Sequence, residues 1–292
     1  MEPEEKGKPK TFRGSAGMKK KHNPDSLGVV ITGGSKGVGY ALAAAFLLAG
    51  DRVVICGRNL QRLEDALHSL RQLVPQGELF GIECDVGDPL GGKALAEFAS
   101  VRLGIVDRWI NNAGSAGKLK RPLWELHADD ILETCTTNLS GSILLCAEAV
   151  RVMARQPHWP EPRYHIFNMG FSSTGASFSR SAVPHKASKR GVAEVTRFLS
   201  RELKTAGKTS IGVHELSPGL VLTGLLLEGI SPQSRRIVNV MAESPEKVAS
   251  VLVPKIRSIT GSNRSVRYQP LVLTFWKLLA GLPQIFASKD IE

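Results

Sequence analysis

The chain has 292 residues, 42% of them hydrophobic, and a formal net charge of +11. That length can bury one large α/β core, and no apolar run approaches the roughly 20 residues of a membrane-crossing helix. The charge does not mark a nucleic-acid groove, because residues 1–24 and 251–292 together carry +8 of it. Basic ends suit an acidic surface better than a duplex, and no RNA- or DNA-binding signature accompanies them.

Residues 1–24 are polar, basic and aperiodic, and are expected to form a disordered tail. They show no secretory core and no intact targeting signal. The first ordered unit starts with the β-branched run Val29-Val30-Ile31, turns through Gly33-x-x-x-Gly37-x-Gly39, and continues as a helix that ends near Gly50. A second strand covers Arg52 to Cys56. Asn59 then caps a helix whose Leu60, Leu63, Leu67, Leu70 and Leu73 follow the helical period. A strand from Glu78 ends at Asp85, a helix covers Asp88 to Leu103, and a strand from Val106 runs into Asn111-Asn112-Ala113-Gly114. One long helix is expected from Asp129 to Ala154, a strand from Tyr164 to Asn168, a helix from Lys186 to Lys204, and a strand from Ile211 to Leu216 ended by Pro218-Gly219.

This alternation predicts a doubly wound α/β fold with a parallel sheet (Rossmann-type), a single domain over residues 25–262, and an apolar, basic extension over 263–292. Residues 220–262 break the rhythm and are expected to include a lid on the substrate side, with one helix from Pro245 to Ile256. Each motif lies at the carboxyl end of a strand, where ligands of such sheets bind. The four cysteines, Cys56, Cys84, Cys135 and Cys146, lack metal-ligand spacing and read as small core residues of a reducing compartment. No metal is expected.

A glycine turn that opens a helix places backbone N–H groups against a phosphate, so the turn is read as a dinucleotide site. NAD-binding folds end strand two on a carboxylate that bonds the ribose; here that end reads Cys56-Gly57-Arg58. Arg58, with Lys36 in the glycine turn, offers two cations to a 2′-phosphate, which points to NADPH.

Thr32-Gly33-x-x-x-Gly37-x-Gly39, Asn111-Asn112-Ala113-Gly114, Asn138, Ser172, Lys189 and Pro218-Gly219 occur in the order seen in the short-chain dehydrogenase/reductase superfamily, which the chain resembles over about residues 27–260. Within it, segments such as Trp109-Ile110-Asn111-Asn112, His165-Ile166-Phe167-Asn168 and Leu252-Val253-Pro254-Lys255 resemble plastid chlorophyll(ide) b reductases. The resemblance implies that Gly33, Ser35, Lys36, Gly37, Val38 and Gly39 hold the cofactor phosphates. It also implies Asp85 and Val86 near the adenine, Asn112, Ala113 and Gly114 along the cofactor, and Pro218, Gly219, Val221 and Thr223 at the cofactor, with Thr223 near the nicotinamide carboxamide or the phosphates. Asn138 would hold a relay water, Ser172 (or Ser173) would orient the substrate, and Lys189 would bind the ribose and tune the acid. Reduction of a porphyrin-type formyl group, a chloroplast location and assembly into homo- or hetero-oligomers follow from the same likeness.

One position departs from the pattern. The family carries a tyrosine four residues before the lysine; this chain has His185 there, and Tyr40, Tyr164 and Tyr268 lie elsewhere. Imidazole has a reference pKa of about 6.5 and is depressed further beside Lys189. Two readings stay open: a reductase that uses histidine as its acid, or a cofactor-binding partner subunit that has lost the acid. Residues 264–287, with Phe275, Trp276, Leu278, Leu279, Ile285 and Phe286 beside Arg264, Arg267 and Lys277, are read as either a peripheral membrane contact or a segment packed against protein.

Overall fold

The computed structural model describes the backbone at 11–12 and residues 25–170, 181–223 and 242–269. The strands are β1 (Thr11–Phe12), β2 (Gly28–Thr32), β3 (Arg52–Gly57), β4 (Leu79–Glu83), β5 (Arg108–Asn111), β6 (Tyr164–Met169), β7 (Ile211–Ser217) and β8 (Ser265–Arg267). They form one sheet in the order β1-β4-β3-β2-β5-β6-β7-β8. Seven strands are parallel; β1 alone pairs antiparallel, with Thr11 opposite Ile82. The helices are α1 (Gly37–Leu48), α2 (Leu60–Leu73), α3 (Pro89–Leu103), α4 (Ala128–Cys135), α5 (Gly141–Met153), α6 (Val183–Thr205) and α7 (Pro245–Arg257).

Strand residues of opposite parity feed two separate cores. Val29 and Ile31 join α1, α2 and α7 on one face, and Val30 joins α3, α5 and α6 on the other. Burial on both faces is why these strands read as unbroken apolar runs rather than alternations. Helix starts follow from the residues present: Asn59 accepts from the Arg62 amide, Asp88 from that of Leu90, and Ser244 from that of Lys247. The strand order reverses direction between β3-β2 and β5, which opens a crevice at their carboxyl ends.

Three expectations are corrected. The helix read as continuous from Asp129 to Ala154 is interrupted by a π-helical turn, Thr136–Ser140. Two residues inside the segment read as a tail, Thr11–Phe12, form the edge strand β1. The domain does not stop at residue 262: β8 pairs with β7, placing Leu216 opposite Val266, and buries Val266 and Tyr268 in the core. Residues 270–292, and with them most of the apolar extension, lie outside the described residues, as do residues 224–241 of the expected lid.

Two histidines meet between the neighbouring strands β6 and β7. The Arg264 amide donates to His214 Nδ1 (3.4 Å), which leaves His214 Nε2–H to donate to His165 Nδ1 at 2.9 Å. Burial pushes His214 down to about 4 and His165 to about 2, so both are neutral in the fold.

Candidate active site

The crevice is assembled by a web that starts at Thr32, the last residue of β2. Its Oγ1 accepts the amides of Asn112 (3.1 Å) and Ala113 (3.0 Å), while Asn112 Nδ2 donates to the carbonyls of Thr32 (2.8 Å) and Gly33 (3.2 Å). The glycine turn and the loop after β5 are thereby one rigid wall. Gly33 has φ of +65° and Gly37 of +57°, a region that costs a side chain roughly 1–2 kcal/mol. Gly37 faces Thr223, whose Cγ2 would lie 3.2 Å from an added Cβ, so the loop after β7 closes over the turn. Ser35 sits over Gly57 at the end of β3. Val38 and Gly39 lie in the first turn of α1, which carries no acidic residue, and Lys36 is exposed at its N-cap. A 12-residue helix presents unpaired N–H groups and a positive dipole end there, which fits a pyrophosphate.

Farther along the crevice, Asp85 is exposed after β4 and folds its Oδ1 onto the Gly87 amide (2.9 Å), with Val86 buried behind it. Pro218 and Gly219 follow β7, and Val221 is buried and bridges to Glu243. Arg58 stands at the end of β3 with its side chain 58% exposed, and donates to Glu133 of α4 at 2.8 Å. Lys118 meets the other oxygen of Glu133 at 3.1 Å. These two cations hold the Glu133 carboxyl below its usual range. Neither Glu133 nor Lys118 was singled out by the sequence pattern, because ion pairs between α4, β3 and the β5–α4 loop have no local signal.

The far end of the crevice is built around Asn138, which lies in the π turn and is fully buried. The extra residue of that turn swings Asn138 inward, a use to which π-bulges are often put. Asn138 Oδ1 accepts the Ser115 amide (2.8 Å), and its Nδ2 donates to the Ser115 carbonyl (2.8 Å) and to Ser188 Oγ (3.0 Å). Lys189 donates from Nζ to the Met169 carbonyl at 3.0 Å. A Cβ built on Gly114 would stand 3.0 Å from both Asn138 Oδ1 and Lys189 Nζ. Gly114 thus keeps open the corner where amide and ammonium converge. Burial lowers Lys189 to about 8, which still leaves it mostly charged at neutral pH.

His185 is 5% exposed, one helical turn before Lys189 on α6. Its Nδ1 lies 2.7 Å from the Ser115 carbonyl and 3.5 Å from Asn138 Nδ2. A carbonyl only accepts, so Nδ1 carries the hydrogen, and ring and amide are two donors converging on one oxygen. Neutral His185 therefore has its lone pair on Nε2. The single N–H of the neutral ring is committed to Ser115. Burial, more than the Lys189 charge invoked from sequence, pushes His185 down to about 4. Ser172 and Ser173 fall within residues 171–180, outside the described residues.

None of the three tyrosines takes the place of His185. Tyr164 donates its hydroxyl to the Pro157 carbonyl (2.8 Å), Tyr268 is buried in the core just after β8, and Tyr40 lies in α1, packed against the core. Behind the site, Asn111 Nδ2 donates to Asn168 Oδ1 (2.8 Å), Asn168 Nδ2 donates to Thr196 (3.0 Å), and Trp109 Nε1 donates to Asn111 Oδ1 (2.8 Å). This buried network ties β5, β6 and α6 together, which fixes where Lys189 and Gly114 meet. Among the described residues, no cluster of histidine, cysteine or acid side chains suits a metal.

The short chain dehydrogenase profile matches residues 28–232. The chain is 40% identical over 261 residues to the chloroplastic chlorophyll(ide) b reductase NOL of Oryza sativa subsp. japonica, covering 89% of this chain and 74% of that protein. Its identity to the Arabidopsis thaliana protein of the same name is 38% over 261 residues, covering 89% and 72%. Among solved structures, a variant of actinorhodin polyketide ketoreductase crystallised with NADPH superimposes with a TM-score of 0.68 at 27% identity, covering 85% of this chain and 98% of that one.

Proposed function

Because the chain belongs to the short-chain dehydrogenase/reductase family, we propose that it is an NADPH-dependent carbonyl reductase that converts the formyl group of chlorophyll(ide) b to hydroxymethyl. The observation that carries this reading is the corner where Gly114, Asn138 and Lys189 converge, built in a chain so similar to a named chlorophyll(ide) b reductase. The named relatives are chloroplastic, which supports a chloroplast location for this chain.

When bound, the reduced nicotinamide supplies the hydride received by the carbonyl carbon. The turn from Gly33 to Gly39 and the N-terminus of α1 hold the pyrophosphate, and Arg58 and Lys36 take the 2′-phosphate, for which Arg58 exchanges its bond to Glu133. Lys189 holds the nicotinamide ribose and places positive charge where the alkoxide develops. Asn138 fixes the Ser115 backbone and, through it, the plane of the His185 ring. Ser172 orients the carbonyl, in keeping with the family pattern. The proton for the alkoxide comes from His185 Nε2 in the imidazolium form.

A second reading is favoured by one observation: neutral His185 spends its only N–H on Ser115, so the form present at neutral pH has no proton to give. In that reading the chain is a cofactor-binding subunit that partners an active paralogue. Assembly with further subunits, and contact of residues 264–287 with a membrane surface, belong to both readings.

NADPH consumption by the purified protein, measured with chlorophyllide b beside a panel of simple ketones and quinones, decides between them. Turnover confined to the pigment supports the reductase. NADPH binding without turnover, combined with stimulation of an active paralogue, supports the partner subunit.

A further inference from the structure

We propose that Glu133 is a latch on the cofactor crevice: its carboxylate holds Arg58 across the adenosine corner, and a dinucleotide must break this bridge to seat there. The latch opposes both nicotinamide cofactors, and only the one with a 2′-phosphate offsets the loss. This inference rests on the NADPH reading given above and adds to it a specificity-determining residue.

The two partners come from opposite sides of the point where the strand order reverses. Arg58 follows β3, on one side of β2, whereas Glu133 lies in α4, which follows β5 on the other side. Their contact at 2.8 Å therefore joins the two walls of the crevice. The loop after β4 meets the same helix, because a Cβ built on Gly87 would stand 3.0 Å from Thr136 Cγ2. Glu133 and Thr136 are three residues apart in helical backbone and share one face. That face of α4 thus touches both the end of β3 and the loop that carries Asp85 and Val86, the segments read as the adenosine end.

Glu133 does not depend on Arg58 alone. Lys118 meets its second oxygen at 3.1 Å. The Lys118 backbone is itself anchored, since Asp130, 6% exposed, accepts the amides of Lys118 (2.8 Å) and Leu119 (3.2 Å). Lys118 and Arg58 together keep the Glu133 carboxyl ionised. When Arg58 leaves, Lys118 still pairs Glu133, so opening costs one bond and strands no charge. The bridge is also weak enough to open, with the Arg58 side chain 58% and that of Glu133 31% exposed to screening water. A phosphate dianion is a stronger acceptor for a guanidinium than a carboxylate shared with a lysine, and a ribose hydroxyl is not. Selectivity of this kind works by opposing the wrong ligand as well as by attracting the right one.

The test is calorimetric titration of the full chain with NADPH and with NADH, for the parent, Glu133→Gln, Arg58→Ala and the double variant. Glu133→Gln should tighten both cofactors by roughly two- to fivefold, the range of an exposed ion pair, and leave the preference between them nearly unchanged. Arg58→Ala should tighten NADH by a similar factor while weakening NADPH, the reverse of what a plain phosphate contact does to NADH. In the Arg58→Ala background, Glu133→Gln should no longer change either affinity. If Glu133→Gln tightens NADPH and leaves NADH untouched, Glu133 merely competes for Arg58, and the latch is overturned. An effect that persists in the Arg58→Ala background would mean general repulsion by the carboxylate, and also overturns it. A parent that binds both cofactors equally would instead defeat the NADPH reading on which the latch rests.

Discussion

His185 should give this enzyme a pH profile unlike that of a tyrosine site. Its folded pKa of about 4 sets the acid fraction at about pH 7.5 to roughly 10⁻³·⁵, a cost of about 5 kcal/mol for protonating the ring before it can donate. Between about pH 7.5 and pH 5.5 that fraction rises about a hundredfold, and turnover limited by proton donation should rise with it. Replacing His185 with Tyr supplies an O–H that is present throughout this range, beside Asn138 and Lys189 already in place. The variant should gain roughly 10²–10³-fold at about pH 7.5 and lose most of the pH dependence. The assay is single-turnover NADPH oxidation with chlorophyllide b across this range for parent, His185→Tyr and His185→Ala, with NADPH binding measured in parallel. A pH-independent rate in an active parent, or equal turnover in parent and His185→Ala, would refute histidine as the acid. An inactive parent rescued only by tyrosine would show that the acid has been lost, as the partner-subunit reading requires.

Other consequences can be checked separately. Arg58→Ala should remove most of an expected preference for NADPH over NADH of tenfold or more, about 1.4 kcal/mol, whereas Glu133→Gln should tighten NADPH by releasing Arg58 from its competitor; calorimetry with both cofactors reads this, and equal affinity of the parent for both would defeat the assignment. Gly114→Ala puts a methyl 3.0 Å from Lys189 Nζ and Asn138 Oδ1; turnover should drop by about a hundredfold, as expected for a shift of about 1 Å at the reacting centre, and an unchanged rate would show that this corner is not where chemistry occurs. Acid should destabilise the fold steeply: His165, His185 and His214 are neutral when folded and protonate on unfolding, so stability is retained above about pH 6.5 and lost below it. At about pH 5 this amounts to roughly 2 kcal/mol each. Urea unfolding at these two pH values measures it, and an unchanged midpoint would mean that these rings are accessible to protons in the native state.

Much of the fold was legible because its strands are buried on both faces and its turns are marked by glycine, asparagine or proline. Gly33 to Gly39 announced a strand-turn-helix, and Asn59 and Asp88 announced the helices they cap. What stayed hidden depends on partners distant in sequence. The π turn at Thr136–Ser140 is invisible because the apolar spacing on either side continues a helix, yet it turns Asn138 into the site. β8 has only Val266 to bury, so it carries no strand pattern and the sequence shows no element after residue 262. The meeting of His165 with His214 requires the register of β6 on β7. The Ser115 carbonyl, which fixes the tautomer of His185, is a backbone group that no side-chain motif reports.

Hydride transfer from NADPH to a formyl carbon can be followed by isotope labelling. Chlorophyllide b should be incubated with the protein and NADPH carrying deuterium at the transferable position of the nicotinamide, and the pigment analysed by mass spectrometry. The expected product is a hydroxymethyl pigment with one deuterium on its carbinol carbon. Recovery of unreduced pigment from a protein that binds NADPH, or a reduced pigment without the label, would contradict it.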